Sequence, residues 1–392
     1  VNGTEDTVIT NIKFSGSDYS VYSEDSQNLI VRNTIFDVDD YGIYLTGSSS
    51  VSVIDNEFRN GTESGDYCIY QSESSDNSEA NIENNKFNDC DVAWRSGSSD
   101  NDFRNNTLKD NEYGVLLSGT ESYQNLLHNN TFDDSGIAVY IYNTAHNNSL
   151  FNNEFDNSDD YDIKLSDSYD TVSYNNTFSD ILVEEDANMW VKVDFDLIVS
   201  DSSSVAFLGA DVEVKQDNLV VYSSSYFGGS DPKTDSNGII ETFLINYKEY
   251  NDSSTPTIIP TYVTIRSYDW EETFTSDPSS TISLTVPDLR VQNTRTGTLT
   301  YYIQTAIDDA DEGDTIRVWN GTYYGPIEIT EEIILEGNGT STIIIGGSGT
   351  AIEVSEDSVT IKNLKIISAE KGIYVNGTED TVITNIKFSG SD

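Results

Sequence analysis

The stretch LIVRNTIF at residues 29–36 decides the fold, because it returns, altered but aligned, through the first half of the chain. It reads VITNIKF at 8–14, VSVIDNEF at 51–58, ANIENNKF at 80–87, DFRNNTL at 102–108, LLHNNTF at 126–132, SLFNNEF at 149–155 and VSYNNTF at 172–178. The closing apolar residues are Phe14, Phe36, Phe58, Phe87, Leu108, Phe132, Phe155 and Phe178, spaced by 22, 22, 29, 21, 24, 23 and 23 residues. One long turn thus interrupts a steady period. Three residues before each stands a polar column: Asn11, Asn33, Asp55, Asn84, Asn105, Asn129, Asn152 and Asn175. A second apolar phrase follows in each repeat, such as YSVYS (19–23), YGIYL (41–45), YCIYQ (67–71), YGVLL (113–117), AVYIY (138–142) and YDIKL (161–165).

Each repeat therefore holds two or three short alternating strands parted by Gly, Asn, Asp and Ser turns. Strands this short at a period near 22 do not make sandwich hairpins. They make a coil that returns to the same place each turn and stacks parallel strands on the coil before. Phe on Phe and Ile on Val then form interior ladders. The Asn column sits at a tight bend, where Asn tolerates left-handed φ and its amide bonds to the Asn above and below. This is a right-handed parallel β-helix in an all-β chain. Leucine-rich repeats are the nearest rival, but helix-forming runs are missing from every coil.

The charge balance excludes some partners. With 68 Asp+Glu against 20 Lys+Arg, the formal net charge is −48, which repels nucleic acid and anionic membranes. Disorder is countered by 36% apolar residues, 24 Tyr and 15 Phe, which need a packed home and are expected mostly in interior columns. The chain starts without Met, shows no apolar leader and contains no membrane-spanning run. Within a longer protein, those absences are silent. Ten Asn-x-Ser/Thr sequons, at Asn2, Asn60, Asn105, Asn129, Asn147, Asn175, Asn251, Asn320, Asn338 and Asn376, favour an exported, glycosylated, cell-surface protein.

The repeat stops near residue 186. Residues 187–290 carry longer strands, including MWVKVDFDLIV (189–199), GIIETFLINYKEY (238–250) and TYVTIRSY (261–268), and are expected to form a β-sandwich. Here DFDLIVSDSSSVAFLGADVEVKQ (194–216) followed by KTDSNGIIETFL (233–244) resembles Ig-like, carboxypeptidase-regulatory-like modules of exported proteins. Residues 291–392 restart the coil. YYIQTAIDDADEGDTIRVWNGTYYGPIEITEEIILEGNGTSTIIIGG (301–347) resembles the N-terminal cap and first coils of pectate-lyase-like β-helices, including NosD-like repeats. Ile303, Ala306, Ile307 and Ala310 line one side of a short capping helix. VTIKNLKI (359–366) aligns with VITNIKF, which brings Asn363 into the polar column. The resemblance implies a prokaryotic, archaeal-type surface or adhesin-like repeat protein.

Residues 375–392 repeat residues 1–18 without a substitution, VNGTEDTVITNIKFSGSD, at an offset of 374 residues. A merely ancient duplication would have drifted, so the reading is a polymer of near-identical 374-residue units. Neighbouring copies are then the expected partners, with surface glycans second.

Chemistry is sparse. Pectate-lyase-like folds often carry sugar-cleaving enzymes, but the Gly-His-Gly and Arg-Ile-Lys sets of polygalacturonase-like members are absent. His128 and His146 are the only histidines, and the carboxylate pairs Asp39-Asp40, Asp133-Asp134 and Asp159-Asp160 recur at turns. The expectation is a structural surface protein (filament, sheath, surface layer or adhesin), not an enzyme, with no catalytic or metal residue and no cofactor. Acidic turns could hold Ca²⁺ between coils. The alternative is a carbohydrate-binding or carbohydrate-cleaving β-helix, to be judged by whether Trp94, Trp270 and Trp319 line one groove. Cys68 and Cys90, one coil apart, are expected to form a disulfide in the exported context.

Overall fold

The structure is a computed structural model that describes residues 1–74, 78–202, 204–267, 269–287 and 290–390. Residue 268, which closes TYVTIRSY, and residues 391–392 of the duplicated stretch lie outside the described residues. The chain forms a right-handed parallel β-solenoid in two compact units. One comprises Val1–Phe195 with Phe243–Ile259, the other Asp196–Thr242 with Pro260–Asp392.

In the first unit each of the first seven repeats contributes one strand to each of three sheets, and the eighth contributes to the first and third. Val8–Thr10, Ile30–Arg32 and Ser52–Ile54 start the first sheet, Lys13–Ser15, Ile35–Asp37 and Glu57–Gly61 the second, and Tyr19–Glu24, Tyr41–Thr46 and Tyr67–Gln71 the third. All are parallel, and Phe36 pairs with both Phe14 and Phe58. Their rings stack at 5.2 and 4.6 Å, and Phe58–Phe87 continues at 5.0 Å, so the closing residue of each repeat is an interior rung. Small residues face this column across the interior. A Cβ on Gly42 would come within 3.1 Å of Phe58, and one on Gly114 within 2.9 Å of Phe132, which explains Tyr-Gly in those repeats.

The bend between the first and second sheets shows two chemistries in adjacent residues. Asn11, Asn33, Asp55, Asn84, Asn105, Asn129, Asn152, Asn175 and Asn363 all have φ between 49° and 59°, the left-handed region. The buried amide ladder, however, belongs to the following residue. Asn56, Asn85, Asn106, Asn130 and Asn153 are at most 3% exposed. The backbone N–H of Asn85 donates to Asn106 Oδ1 at 2.9 Å, that of Asn106 to Asn130 at 2.9 Å, and that of Asn130 to Asn153 at 3.1 Å. Each Nδ2 also donates to the next Asn and to a carbonyl of an earlier coil, as Asn106 does to Ile82 at 2.9 Å. The ladder thus satisfies backbone groups that the bend would otherwise leave orphaned.

The boundary expected at 186/187 falls elsewhere. Asn188–Phe195 extends the first sheet in parallel with Thr171–Tyr174, because buried Met189 continues the interior column. Eight residues long, it also pairs antiparallel with Phe243–Asn251, which takes those residues into the first unit. Thr257–Ile258 pairs with Phe243–Asn251 in the same unit, and the other strands of 187–290 form an antiparallel sheet (Leu219–Ser223, Asp211–Gln216, Thr261–Ser267, Trp270–Ser276) and a strand pair (Leu197–Ser200, Ile282–Thr285) in the second unit.

In that unit the helix Ile303–Asp308 buries Ile303, Ala306 and Ile307, and Ala310 packs beside them. Parallel coils follow: Thr315–Val318, Ile334–Glu336, Thr360–Ile367 and Val382–Ser389 stack in one direction. The copy of the duplicated stretch pairs Ile383 with Ile361 and Phe388 with Ile366.

Candidate functional site

The third sheet of the first unit turns two columns of tyrosine outward. Within each Tyr-x-x-Tyr phrase the two intervening residues point in at a bend, which leaves first and fourth on the outer face. Tyr19, Tyr41 and Tyr67 form one column at 4.8 and 5.5 Å between ring centres, and Tyr22, Tyr44 and Tyr70 the other at 5.2 and 5.0 Å. Rings are parallel within a column but lie at 76–87° between columns, as in Tyr19–Tyr22, Tyr41–Tyr44 and Tyr67–Tyr70. Two sets of planes so crossed cannot both stack face to face along the axis, so the array is a herringbone with edges against faces. The expectation that most Tyr and Phe fill interior columns is corrected: Phe does, whereas these six Tyr are exposed or half-buried on the outer face. The reason is position, since Tyr takes the first and fourth places of the phrase, on either side of the two residues that point inward.

The array ends on Arg95, whose guanidinium lies 4.7 Å from the Tyr70 ring centre, a cation–π contact. Its Nη1 is buried without a hydrogen-bond partner among the described residues. Burial pushes the Tyr41, Tyr44 and Tyr67 phenols above their ordinary value, so they are neutral donors at neutral pH. A carboxylate precedes the third-sheet strand in successive coils: Asp18, Asp40 and Asp66 before Tyr19, Tyr41 and Tyr67, Asp91 before Val92, and Glu112 before Tyr113. Backbone bonds align them, Tyr41 N–H to Asp18 O at 2.8 Å and Tyr67 N–H to Asp40 O at 2.7 Å. Asp66 is 4% exposed. Burial raises its pKa, the charges of Asp40, Glu63 and Asp91 add to this, and the Glu63 N–H opposes it. Aromatic rings that hold C–H surfaces, bordered by carboxylates that accept hydroxyl protons, suit a sugar polymer.

The other sequence-derived residues fall elsewhere. Cys68 and Cys90 sulfurs are 2.05 Å apart in the interior. All ten sequon asparagines are exposed, Asn2, Asn60, Asn105, Asn129, Asn147, Asn175, Asn251, Asn320, Asn338 and Asn376, and Asn338 donates to Asn320 at 2.7 Å. Asp133 is held by Lys109 at 2.8 Å, whose hydrogen bond first and charge second lower its pKa. Asp39, Asp40, Asp159 and Asp160 lie exposed at turns. The tryptophans do not share a groove: Trp94 is fully buried against Phe103 at 4.8 Å, Trp270 is 8% exposed and Trp319 37%.

Residues 1–181 match the family model described as periplasmic copper-binding protein (NosD). No curated protein matches the chain. Among solved structures, an α-1,3-glucanase catalytic domain in complex with nigerose shares 12% identity over 100% of this chain and 49% of its own, with a TM-score of 0.35. A tailspike protein of an E. coli bacteriophage in complex with a pentasaccharide shares 10% identity over 95% and 56%, with a TM-score of 0.37. An alginate lyase from Paenibacillus shares 9% identity over 92% of both chains, with a TM-score of 0.31. The chain spans about half the length of the glucanase and tailspike chains. At these values the likeness concerns the β-helix fold alone. It nonetheless corrects the expectation that the chain is not an enzyme, because this fold carries carbohydrate cleavage in the glucanase and the lyase.

The donor set does not fit a copper centre. Copper sites use His, Cys and Met. Here the cysteines are joined, Met189 is fully buried, and His128 is bonded to Asp102 at 2.9 Å and stacked on Phe151. Among the described residues no group of three or more His, Cys, Asp or Glu is placed to hold a metal ion.

Proposed function

We propose that this chain is an exported β-helix that engages carbohydrate along the outer face of its third sheet. The observation that carries the reading is the herringbone of six tyrosines over three successive coils, neutral and aromatic in a chain of net charge −48. Its repeat is one coil, about 4.8 Å, so a polysaccharide laid along the axis meets a tyrosine pair at every coil. The periplasmic description of the family that matches residues 1–181 and the exposure of the sequons support export. The test is retention of the protein on a panel of neutral and acidic polysaccharides. Replacing Tyr22 and Tyr44 by Ala should weaken retention at least about tenfold on the polymer that binds best. Retention unaltered by that double substitution on every polymer sinks the reading. Reducing ends followed in the same samples, with Asp66→Asn as comparison, show whether the face also cleaves.

A second reading, a tandem structural array at the cell surface, is favoured by the two copies of the duplicated stretch. At 382–389 the copy rests on the coil before it, through Ile383 on Ile361 and Phe388 on Ile366. At 8–15 the same sequence carries the coil after it, through Ile9 with Val31 and Phe14 with Phe36. Taken as one coil, the stretch has strands above and below in matching register, as a covalent array of 374-residue units requires. The native polypeptide should run far above 43.4 kDa on a denaturing gel, and a band near that mass without proteolysis refutes the array.

A further inference from the structure

The second unit holds a cavity of about 560 Å³ whose chemistry differs from that of the tyrosine face, and the inference below does not rest on that face. Its floor is aromatic and pinned. Trp270, Tyr301 and Tyr323 are each 8% exposed, with Trp270 and Tyr301 rings 6.0 Å apart. The Tyr301 hydroxyl is bonded to Ser267 at 3.2 Å, and the Tyr323 hydroxyl donates to the carbonyls of Arg290 and Trp319 at 3.2 Å. Asp269 is likewise committed, since it accepts the backbone N–H groups of Tyr301 and Tyr302.

The rim is the opposite. Tyr302 and Tyr324 are 53% and 74% exposed, unusual for aromatic side chains beside a cavity. Their phenols, and the hydroxyls of Thr305 and Thr322 on the wall, make no hydrogen bond to another described residue. Arg290 lines the same wall, its Nη1 placed 2.7 Å from where a Cβ on Gly321 would stand, so glycine there leaves the guanidinium its berth. Among the described residues no carboxylate lies within ion-pair distance of it, although the chain carries 68 Asp+Glu.

Fixed aromatic planes, uncommitted hydroxyls and one guanidinium converge in a volume of the size that takes small ligands. We infer that this cavity binds a single pyranose ring bearing one carboxylate. Aromatic rings cover the C–H face of the sugar, the free hydroxyls meet its hydroxyls, and Arg290 takes the carboxylate in a charge-assisted pair. A neutral sugar leaves the guanidinium unpaired, and a plain aromatic acid leaves the hydroxyls unused.

Titration calorimetry of the whole chain with methyl β-glucuronide, methyl β-glucoside and benzoate tests this. The glucuronide should bind, with glucoside and benzoate each at least about tenfold weaker. Arg290→Gln should weaken the glucuronide about tenfold and leave the glucoside unchanged. Tyr324→Ala, a change at an exposed side chain that should leave thermal unfolding unmoved, should weaken both sugars severalfold. Tyr44→Ala should change nothing here, which separates this site from the tyrosine face. Equal binding of glucuronide and glucoside, benzoate binding as tight as the glucuronide, indifference to Arg290→Gln, or no binding by the unaltered chain overturns the proposal.

Discussion

The coils of residues 8–184 and those of residues 315–389 follow one architecture but close it with different chemistry. From Asn56 to Asn153 the first set buries an asparagine rung at successive bends, each bonded to its neighbours in the column. The second is built on aliphatic columns such as Leu335–Ile361–Ile383, and its bends are tightened by glycine. A Cβ on Gly346 would fall 2.4 Å from that of Ala369, and one on Gly337 2.4 Å from the Asn363 carbonyl. Among the described residues of that second set, the Asn–Asn bond between Asn385 and Asn363, 2.7 Å, is exposed. The coil is therefore dictated by the periodicity of its columns, not by one kind of core. What the polar rung adds is register, because an amide is satisfied only when its partner lies directly above or below.

The largest effect should come from breaking that rung. Asn106→Ala removes the acceptor for the Asn85 N–H and Nδ2, and the donor to the Ile82 carbonyl, all in the interior. Several unsatisfied buried groups should cost about 4 kcal/mol in denaturant unfolding. Leu364→Ala, in the aliphatic coils, should cost about 3 kcal/mol through its cavity. A larger loss for Leu364→Ala than for Asn106→Ala would reverse the comparison.

A clip belongs to the first set only. The Cys68–Cys90 bond closes a loop with a sequence separation of 22 and should contribute about 3 kcal/mol through the unfolded state. The double substitution by Ala should show that loss, and alkylation of both thiols in protein unfolded without reductant would show that the bond is not formed.

Much of this architecture was legible in the repeats. The period, the interior Phe column and the left-handed bend follow from phrases such as RNTIF and FRNNTL. The buried ladder stands one residue after the column read from the sequence, whose own amides bond at the surface in Asn175–Asn152 and Asn385–Asn363, because in Asn105-Asn106 both residues are asparagine and only the direction of the side chain tells which points inward. The tyrosine columns are hidden in the same way, since Tyr and Phe read alike as apolar residues in the repeats although the two fall on opposite faces of the coil. The repeat phrase ends near 186, ahead of Asn188–Phe195, because that strand continues the sheet without repeating the phrase. The cavity beside Tyr324 had no local signal, since Trp270, Arg290 and Thr322 converge only through the fold.

Acid titration separates the two sets by sign. At the entry to the second, Asp314 is buried and accepts from Arg295, Asn293 and the Asp311 N–H, and the Arg295 hydrogen bond holds its carboxyl far below the usual range. A lowered folded pKa contributes stability that is present above the unfolded value, about 3.9, and is lost as pH falls through the folded one. Asp314→Asn should therefore cost about 2 kcal/mol at pH 7, and the difference from the unaltered chain should narrow steadily in acid.

In the first set Asp66 should behave in the opposite sense, and by less. Its carboxyl is raised by burial and by the negative charges of Asp40, Glu63 and Asp91, while the Glu63 N–H donates a stabilising hydrogen bond to it at 3.0 Å. A raised folded pKa means that ionising Asp66 opposes folding. The penalty is absent below the unfolded value of about 3.9, grows as pH rises through the folded pKa, and is full above it. Asn at this position keeps an oxygen for the Glu63 N–H but carries no charge. Asp66→Asn should thus stabilise the chain at pH 7 by about 0.5–1 kcal/mol, and the gain should fade as the buffer is taken to pH 4. Thermal unfolding of both proteins across that range decides it. A destabilised Asp66→Asn at pH 7 would mean that the carboxylate is matched to positive partners after all, and that the border of the tyrosine face is not the strained, charge-crowded edge drawn from its geometry.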